Sequence, residues 1–208
     1  LLTPATGREF LANFGPKAQR LAYLGLVNSL AQVVLKITSP GVPDFYQGCE
    51  SWNLSLVDPD NRGVVPWPQM EKLAAEARAA SWRDLLRRWK SGAVKLRLTT
   101  ELLRFRREHF ALFHSGSYEP LAAEGRFADR LIGFSRRHAP GALVVLVPRL
   151  SAVLGCPPVG LVWEDTAVAL PARHRGWRDV LTGMEWSSGT AQPVLVAHYF
   201  LAHAAALR

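Results

Sequence analysis

Residues Thr38 to Trp67, TSPGVPDFYQGCESWNLSLVDPDNRGVVPW, form the most distinctive segment of the sequence. It is rich in Pro, Gly, Asp, Asn and aromatic residues, and it directly follows an apolar segment with helical spacing. Loops of this length without periodicity are uncommon in compact domains, and they are usually functional or disordered. Disordered segments contain few aromatic residues, whereas this one contains Phe45, Tyr46 and Trp52. The segment is therefore predicted to be an ordered functional loop, with an ordinary surface loop as the alternative.

The segment before this loop has the apolar spacing of a helix. Gly15-Pro16 is predicted to begin that helix, because a proline at an early helical position loses no hydrogen bond. Pro40 and Gly41 are predicted to end it, and Pro43 favours a short extended piece over residues 42–48. One buried stripe is predicted to comprise Leu21, Leu24, Val27, Ala31, Val34 and Leu35.

Helices are also predicted on the far side of the loop. Residues 68–80 are rich in Ala and Glu and form the first of them. Ser81 is predicted to be the N-cap of a second helix, which Ser91-Gly92 ends. A third helix is predicted to end near His109, and its buried stripe comprises Val94, Leu98, Leu102 and Phe105.

Around Ser115-Gly116 the apolar spacing changes from helical to alternating. The β-type runs that follow are YEPLAA, RLIGFSRR, ALVVLVPRL, TAVALP, WRDVL and PVLVAHYF, and turn signals separate most of them. The predicted fold class is mixed α and β. Residues 1–115 are predicted to form a mainly helical domain, and residues 116–208 a small antiparallel β-sandwich that packs on the helix around residues 94–105.

Composition narrows the class of protein. Nearly half of the 208 residues are apolar, so the chain can bury a core. No apolar run is expected to have the length of a membrane span, and the start LLTPATGREF has no signal pattern. Because the chain does not begin with Met, we expect it to be a fragment. Its two cysteines, Cys49 and Cys156, indicate a reducing cytoplasm, and a single bridge between them is the alternative.

The positive charge of the chain is concentrated in one segment. The formal net charge is +8, and residues 82–107 contain nine Lys and Arg against two acidic residues. This segment is either an anion-binding patch or the solvated face of amphipathic helices. Nucleic-acid binders add a recognisable module or aromatic residues interleaved with basic ones, whereas Trp82, Trp89 and Phe105 have core spacing here. No nucleic-acid partner is therefore expected.

The ordered set of motifs resembles a known family. Gly41, Pro43, Tyr46, Gly48 and Glu50 fit the pattern G-x-P-x-x-Y-x-G-x-E of the eighth barrel strand in the α-amylase superfamily of glycoside hydrolases. The longer strings NSLAQ, PGVPDFYQGCESW and LVDPDNR closely resemble the maltooligosyl trehalose synthase branch of that superfamily. The pair KL in the next helix, LLRFRREHFALFHSGSYEPL and WRDVLTG continue the likeness in the same order, so it covers roughly residues 10–185.

This resemblance implies both a fold and a reaction. Residues 1–115 would be the last part of a (β/α)8 TIM barrel, with loop 41–67 on its substrate side. The full-length enzyme would convert the reducing-end α-1,4 link of a maltooligosaccharide into an α,α-1,1 link by intramolecular transglucosylation. Members of this branch are similar to retaining glycosidases, in which two carboxylates share the chemistry. The family's catalytic carboxylates are expected to precede residue 1, so this chain is predicted to contain no catalytic residue and to need no metal or cofactor.

The predicted substrate-binding residues lie in loop 41–67. Tyr46 and Trp52 can bind the C–H faces of sugars, or they can be buried aromatics beneath the loop. Asp58, Asp60 and Arg62 can bind hydroxyl groups, or they can form an internal clamp that shapes the loop. Two further residues of the set are Gln47 and Glu50, and Glu50 is expected to act through a hydrogen bond behind the ligand.

One departure and one rival interpretation qualify the likeness. Many relatives continue DPDNRRPVDW, whereas this chain has DPDNRGVVPW, so contacts made by the replaced positions cannot be carried over to residues 63–66.

The rival is a carbohydrate-binding or barrel-capping module at residues 116–208 without catalysis of its own. The candidate strands carry Val, Leu and Ile, with Tyr118, Phe134 and Trp177 at scattered positions, which favours a cap over a sugar-binding face.

Overall fold

The computed structural model describes residues 3, 6–139, 141–155, 157–171, 176–187 and 194–195. Within these ranges, a helical first half is followed by short strands. The helices are α1 (Arg8–Thr38), α2 (Trp67–Ala79), α3 (Trp82–Arg87), α4 (Ala93–Glu108) and α5 (Phe110–His114). The strands are β1 (Ser117–Pro120), β2 (Ala123–Glu124), β3 (Leu131–His138), β4 (Gly141–Pro148), β5 (Ala167–Val168), β6 (Gly176–Arg178), β7 (Glu185–Ser187) and β8 (Val194–Leu195).

Helix α1 begins earlier than the sequence predicted. It starts at Arg8, and Pro16 lies inside it rather than at its first turn. Residues 12–17 are exposed, so water can hydrate the carbonyl group that Pro16 leaves without a helical partner. The buried stripe also differs, because Leu21 is 68% exposed. The buried apolar residues of α1 lie in its second half and are Leu26, Val27, Ala31, Val33 and Ile37.

The helices after the loop follow the prediction closely. Helix α2 occupies 67–79, and the Ser81 hydroxyl caps α3 by accepting a hydrogen bond from the Asp84 N–H at 3.2 Å. Gly92 separates α3 and its short 3-10 extension from α4. Val94, Leu98 and Leu102 are buried on α4 as predicted. These side chains pack against α1 and form the helical part of the core.

The second half of the described chain consists of small antiparallel sheets. Strand order is β1-β3-β4 in one sheet, β2-β5-β8 in a second, and β6-β7 in a third. In β4, burial alternates along the strand, which is the period of a sheet with one covered face. The fold is thus mixed α and β with antiparallel sheets. Only residues 194–195 of the predicted strand PVLVAHYF are described, and LAHAAALR lies outside the described residues.

The sheet β1-β3-β4 packs on a different helix from the one expected. Phe134, Leu143 and Val145 share a core cluster with Ala31 of α1 and Phe113 of α5. Helix α4 contributes Phe105 at the edge of this cluster. The expectation that the sheet packs on residues 94–105 was therefore wrong for most of that helix. The buried face of α4 is already occupied by α1 and α2.

Two arginines join the helices to the sheet. Arg136 of β3 is 2% exposed, and it donates hydrogen bonds to the carbonyl oxygens of Thr38 (3.2 Å), Phe113 (3.0 Å), Gly116 (3.2 Å) and Ser117 (2.8 Å). Arg106 of α4 donates to the carbonyls of Ile37 and Gly41. Carbonyls at a helix C-terminus have no partner within the helix. The two guanidinium groups therefore satisfy the ends of α1 and α5.

Helix α1 is long and apolar enough to cross a membrane by length and composition alone. The sequence prediction that no segment reaches that length was therefore wrong on this measure. Core helices of water-soluble proteins pass the same test. Val33 and Ile37 of α1 pack against Leu98 and Leu102 of α4. This packing is that of a core helix.

Candidate functional site

The inner part of loop 41–67, residues 49–52, is held by one short stretch of chain. Lys95 Nζ donates hydrogen bonds to the carbonyl oxygens of Cys49 (2.8 Å) and Ser51 (2.9 Å). The indole Nε1–H of Trp52 donates to the carbonyl oxygen of Trp89 at 2.6 Å. Both anchors belong to residues 89–95, which comprise the end of the α3–α4 connection and the first turn of α4. This stretch therefore fixes the inner loop against the helical core.

Gly92 makes this close approach sterically feasible. Its φ is +83°, a conformation that residues with a Cβ atom rarely adopt. A Cβ atom at this position would lie 2.0 Å from Ser51 Oγ and 3.1 Å from the backbone nitrogen of Trp52. Only glycine satisfies both the turn and the contact with the loop.

Trp52 is part of the packing beneath the loop. The side chain is half-buried against the core cluster of α1, α2 and α4. The ammonium of Lys95 lies 5.7 Å from its ring centroid, within cation–π range. Its one polar atom already donates to Trp89, so a sugar hydroxyl could bind that atom only by breaking the bond.

The outer part of the loop, residues 53–64, carries the acidic and basic side chains. Asp58 and Arg62 form a two-bond pair, with Nε 2.5 Å from Oδ1 and Nη2 3.0 Å from Oδ2. Their side chains are 58% and 74% exposed. Asp60 Oδ2 accepts a hydrogen bond from the Leu56 N–H at 2.6 Å, which closes a turn. Asp58 and Arg62 thus pair with each other within the loop, and the pair is accessible to solvent.

Tyr46, Gln47 and Glu50 lie between the extended piece and the anchored segment. Tyr46 is 77% exposed, Gln47 is exposed, and Glu50 is half-buried. One carboxylate oxygen of Glu50, Oε2, is buried and has no hydrogen-bond partner among the described residues. The extended piece at 42–48 is not assigned as a strand. No described segment pairs with it, so the predicted strand does not form here.

Burial changes the electrostatics of the anchoring residue. Desolvation lowers the pKa of Lys95, and the positive charge of Lys36 lowers it further, while Cys49 and Glu50 raise it. Part of the basic segment also makes structural contacts. Arg97 donates to the carbonyl oxygens of Ala77 (2.8 Å) and Arg78 (3.0 Å) at the end of α2. These two hydrogen bonds cap a helix, so Arg97 has a structural role.

A separate cavity lies away from the loop. It has a volume of about 1120 Å³, and α1, α4, β4 and residues 176–185 line it. Its walls are mainly apolar, with Glu101, His109 and Asp179 among the polar residues. No residue of loop 41–67 lines this cavity. Among the described residues, no group of three His, Cys, Asp or Glu side chains could hold a metal ion.

Sequence reasoning missed the residues that organise the loop. Gly92 was predicted only as a helix breaker, and Lys95 was counted only among the basic residues of segment 82–107. The local sequence contained a signal for Gly92, because glycine after a helix often marks a left-handed turn. It contained none for Lys95, since a lysine in an amphipathic helix usually points into solvent.

Comparisons with known proteins agree with this loop and fold. No family model matches the chain. Two Mycobacterium tuberculosis proteins, from strains CDC 1551 / Oshkosh and ATCC 25618 / H37Rv, are provisionally named maltooligosyl trehalose synthase. Each is 35% identical over 170 residues, which is 82% of this chain and 19% of the relative. The chain therefore spans about a fifth of the length of these curated relatives.

Solved structures give the same result. The maltooligosyltrehalose synthase from Arthrobacter ramosus has a TM-score of 0.65 and 32% identity, over 94% of this chain and 23% of that one. A mutant of the same enzyme matches with 31% identity and the same TM-score. A further maltooligosyl trehalose synthase structure has a TM-score of 0.67 and 28% identity, over 88% of this chain.

The matched proteins define a class of enzyme by their names, since each of those reported is called a synthase. Within that class, its homologues are the maltooligosyl trehalose synthases, and the chain corresponds to a C-terminal portion of them. The resemblance predicted from NSLAQ, PGVPDFYQGCESW and LVDPDNR is thereby confirmed.

Proposed function

We propose that this chain supplies the substrate-side loop and the C-terminal region of a trehalose-forming enzyme. The full-length enzyme would convert the reducing-end α-1,4 link of maltooligosaccharides into an α,α-1,1 link by intramolecular transglucosylation, as an isomerase. The observation that carries the proposal is the match of 35% identity to maltooligosyl trehalose synthases across loop and strands together. A cytoplasmic location remains a prediction of the same proposal.

The proposed architecture is the end of a TIM barrel followed by a β-sandwich. In it, α1 and the extended piece at 42–48 are the last barrel elements, and residues 116–208 form the sandwich. Large apolar side chains that are exposed in this chain support a missing neighbour: Phe10, Phe14, Leu21, Val42, Leu54, Leu56 and Val57. In this proposal, the rest of the barrel would cover these side chains.

The loop would hold the sugar rather than carry out the chemistry. The Asp58–Arg62 pair presents two carboxylate oxygens and several N–H donors on an exposed surface, and a planar guanidinium suits paired acceptors. Tyr46 exposes a ring face that can stack on a glucose unit. In this proposal, these groups retain the released glucose so that its hydroxyl, and not water, attacks the glycosyl-enzyme.

The chain would contribute no catalytic carboxylate of its own. Asp58 is paired with Arg62, and Asp60 is engaged by the Leu56 N–H. The nucleophile and the acid/base of a retaining mechanism would come from the barrel segment that is outside this chain. We therefore expect the 208-residue chain to be inactive by itself.

The alternative function is a barrel-capping module without catalysis. One observation favours capping over sugar binding for the strands: the alternating face of β4 is buried on α1 and α5 through Leu143, Val145 and Val147. This face is occupied by the protein's own core. It is therefore not offered to a carbohydrate.

A segment exchange tests the proposed function. Residues 8–187 would replace the matching segment of the Arthrobacter ramosus enzyme, and maltopentaose would be the substrate. We expect the folded chimera to form a non-reducing trehalosyl product, measured by chromatography. A chimera that unfolds cooperatively but yields only reducing sugars would contradict the proposal.

A further inference from the structure

Lys95 holds the loop on both sides of Glu50. Its ammonium group has three N–H donors, and two of them bind the carbonyl oxygens of Cys49 and Ser51 at 2.8 and 2.9 Å. The carbonyl groups of the two residues that flank Glu50 are thus fixed to helix α4 by a single side chain. A displacement of Lys95 would release both at once.

The same anchor reaches Tyr46 through a turn. The Cys49 N–H donates to the carbonyl oxygen of Tyr46 at 3.1 Å. The position of Cys49 therefore sets the position of Tyr46, whose exposed ring is the aromatic group offered to a sugar. Glu50 follows within the same turn, with a buried Oε2 that has no partner among the described residues.

A purely stabilising role explains this arrangement poorly. The ammonium of Lys95 is half-buried and its hydrogen bonds go to two neutral carbonyls rather than to a carboxylate. Removing a charge from water carries a large free-energy penalty that neutral partners repay only in part. Burial accordingly lowers the pKa of Lys95. An apolar side chain at this position would avoid that penalty but would leave both carbonyl oxygens without this donor. What lysine provides is therefore the fixed position of these two groups.

We propose that Lys95 is a positioning residue for the transfer reaction: it fixes residues 46–51 so that Tyr46, with Glu50 behind it, holds the released glucose. This inference rests on the proposed function. Lys95 itself does not touch the sugar. Its effect is on whether the glucose or a water molecule attacks the glycosyl-enzyme.

Two variants of the segment-exchange chimera test the inference. Lys95→Met keeps much of the side-chain length but removes all three donors. Arg97→Met is the matched control, since Arg97 lies on the same helix and also binds two carbonyls, those of Ala77 and Arg78 at the end of α2. Both variants lose carbonyl contacts of α4. Only Lys95→Met releases the loop.

For Lys95→Met we expect kcat for the trehalosyl product to fall by more than about tenfold, because small misplacements of bound groups have effects of that size. The ratio of glucose to trehalosyl product should rise with it, while KM for maltopentaose changes less. Lys95→Arg, which keeps two or more donors, should restore part of the ratio. Arg97→Met should lower the melting temperature and leave the ratio within about twofold of the unsubstituted chimera.

Each outcome has a definite meaning. An active chimera whose product ratio is the same with Lys95→Met as without it would overturn the inference and leave the proposed function standing. Parallel changes in Lys95→Met and Arg97→Met would also overturn it, because they would indicate a general loss of structure. A folded unsubstituted chimera without trehalosyl product would overturn the proposed function itself. If Lys95→Met does not fold, the Lys95→Arg variant is used for the same comparison. An unchanged ratio of glucose to trehalosyl product with reduced stability would then count against a positioning role for Lys95.

Discussion

The inner and outer parts of loop 41–67 are held in different ways. Residues 49–52 are bonded to the helical core through Lys95 and Trp89, and Ser51 packs against Gly92. Residues 53–64 make contacts mainly with one another, and Leu54 and Val64 are 91% and 97% exposed. The inner part is therefore fixed to the core, and the outer part is the surface that is left exposed to solvent.

This difference separates residue type from residue role. Tyr46 and Trp52 were equally good candidates for sugar stacking in the sequence. In the structure, Trp52 uses its N–H inside the protein, whereas Tyr46 exposes its ring. An aromatic residue in a functional loop can thus support the loop rather than the ligand. The two aspartates also differ in role, because Asp60 closes a turn whereas Asp58 pairs with Arg62 at the solvent-exposed surface.

The largest loss of stability is expected when a methyl group is added at Gly92, which lies against the inner part of the loop. Gly92→Ala places Cβ 2.0 Å from Ser51 Oγ at a φ of +83°, and strain and overpacking of this kind each cost about 1–3 kcal/mol. We expect the free energy of unfolding in urea to fall by about 2–4 kcal/mol. Gly63→Ala is the control in the outer part, where Cβ would meet nothing within 4 Å. An equal loss in both variants would remove the distinction between the two parts.

A smaller effect is expected for the indole hydrogen bond. Trp52→Phe removes the Nε1–H donor and leaves the Trp89 carbonyl oxygen, 2.6 Å away, without it. Loss of such a bond in a half-buried site destabilises by about 1–2 kcal/mol. Tyr46→Phe, at an exposed site, should change the unfolding free energy by less than about 0.5 kcal/mol. If both variants gave the same denaturation midpoint, the two aromatic residues would contribute equally to stability, which would contradict this distinction between them.

The smallest effect on stability is expected in the outer clamp. Arg62→Lys loses the two-bond geometry with Asp58, but exposed ion pairs contribute only about 0–1 kcal/mol. Sugar handling should respond more strongly, because lysine cannot reproduce the planar fork. In the segment-exchange chimera we expect weaker transglucosylation and more released glucose. An unchanged ratio of trehalosyl product to glucose, or a melting temperature that falls together with activity, would assign Arg62 to loop shape alone.

Local patterns were sufficient for much of the fold. Ser81 marked the start of α3 correctly, but α3 ends at Arg87, and Gly92 follows a separate 3-10 turn. The β-type run ALVVLVPRL predicted β4. Pro16 misled, because an exposed helical turn tolerates a lost hydrogen bond. Leu21 was assigned to the core by spacing, although the element that would cover it is not among the described residues.

Tertiary contacts account for what the sequence could not predict. The bond from Lys95 to Cys49 joins residues 46 positions apart, and Arg136 binds Thr38 across 98 positions. No periodicity or propensity encodes such pairs. The extended piece at 42–48 requires partner strands to become a strand, so its own composition could not determine its state. The clamp of Asp58 and Arg62 was foreseeable, since the two lie four residues apart.

The proposed division of labour can be tested by measuring trehalosyl product from maltopentaose. The 208-residue chain is assayed alone and again after mixing with the preceding barrel segment of the Arthrobacter ramosus enzyme. We expect no product from the chain alone at any concentration, because in the proposed function its loop would bind sugar without supplying a catalytic carboxylate. We expect measurable product once the barrel segment is added and covers the exposed apolar surface. Sustained turnover by the chain alone would contradict this division of labour, and Glu50, Asp58 or Asp60 would then have to perform the chemistry.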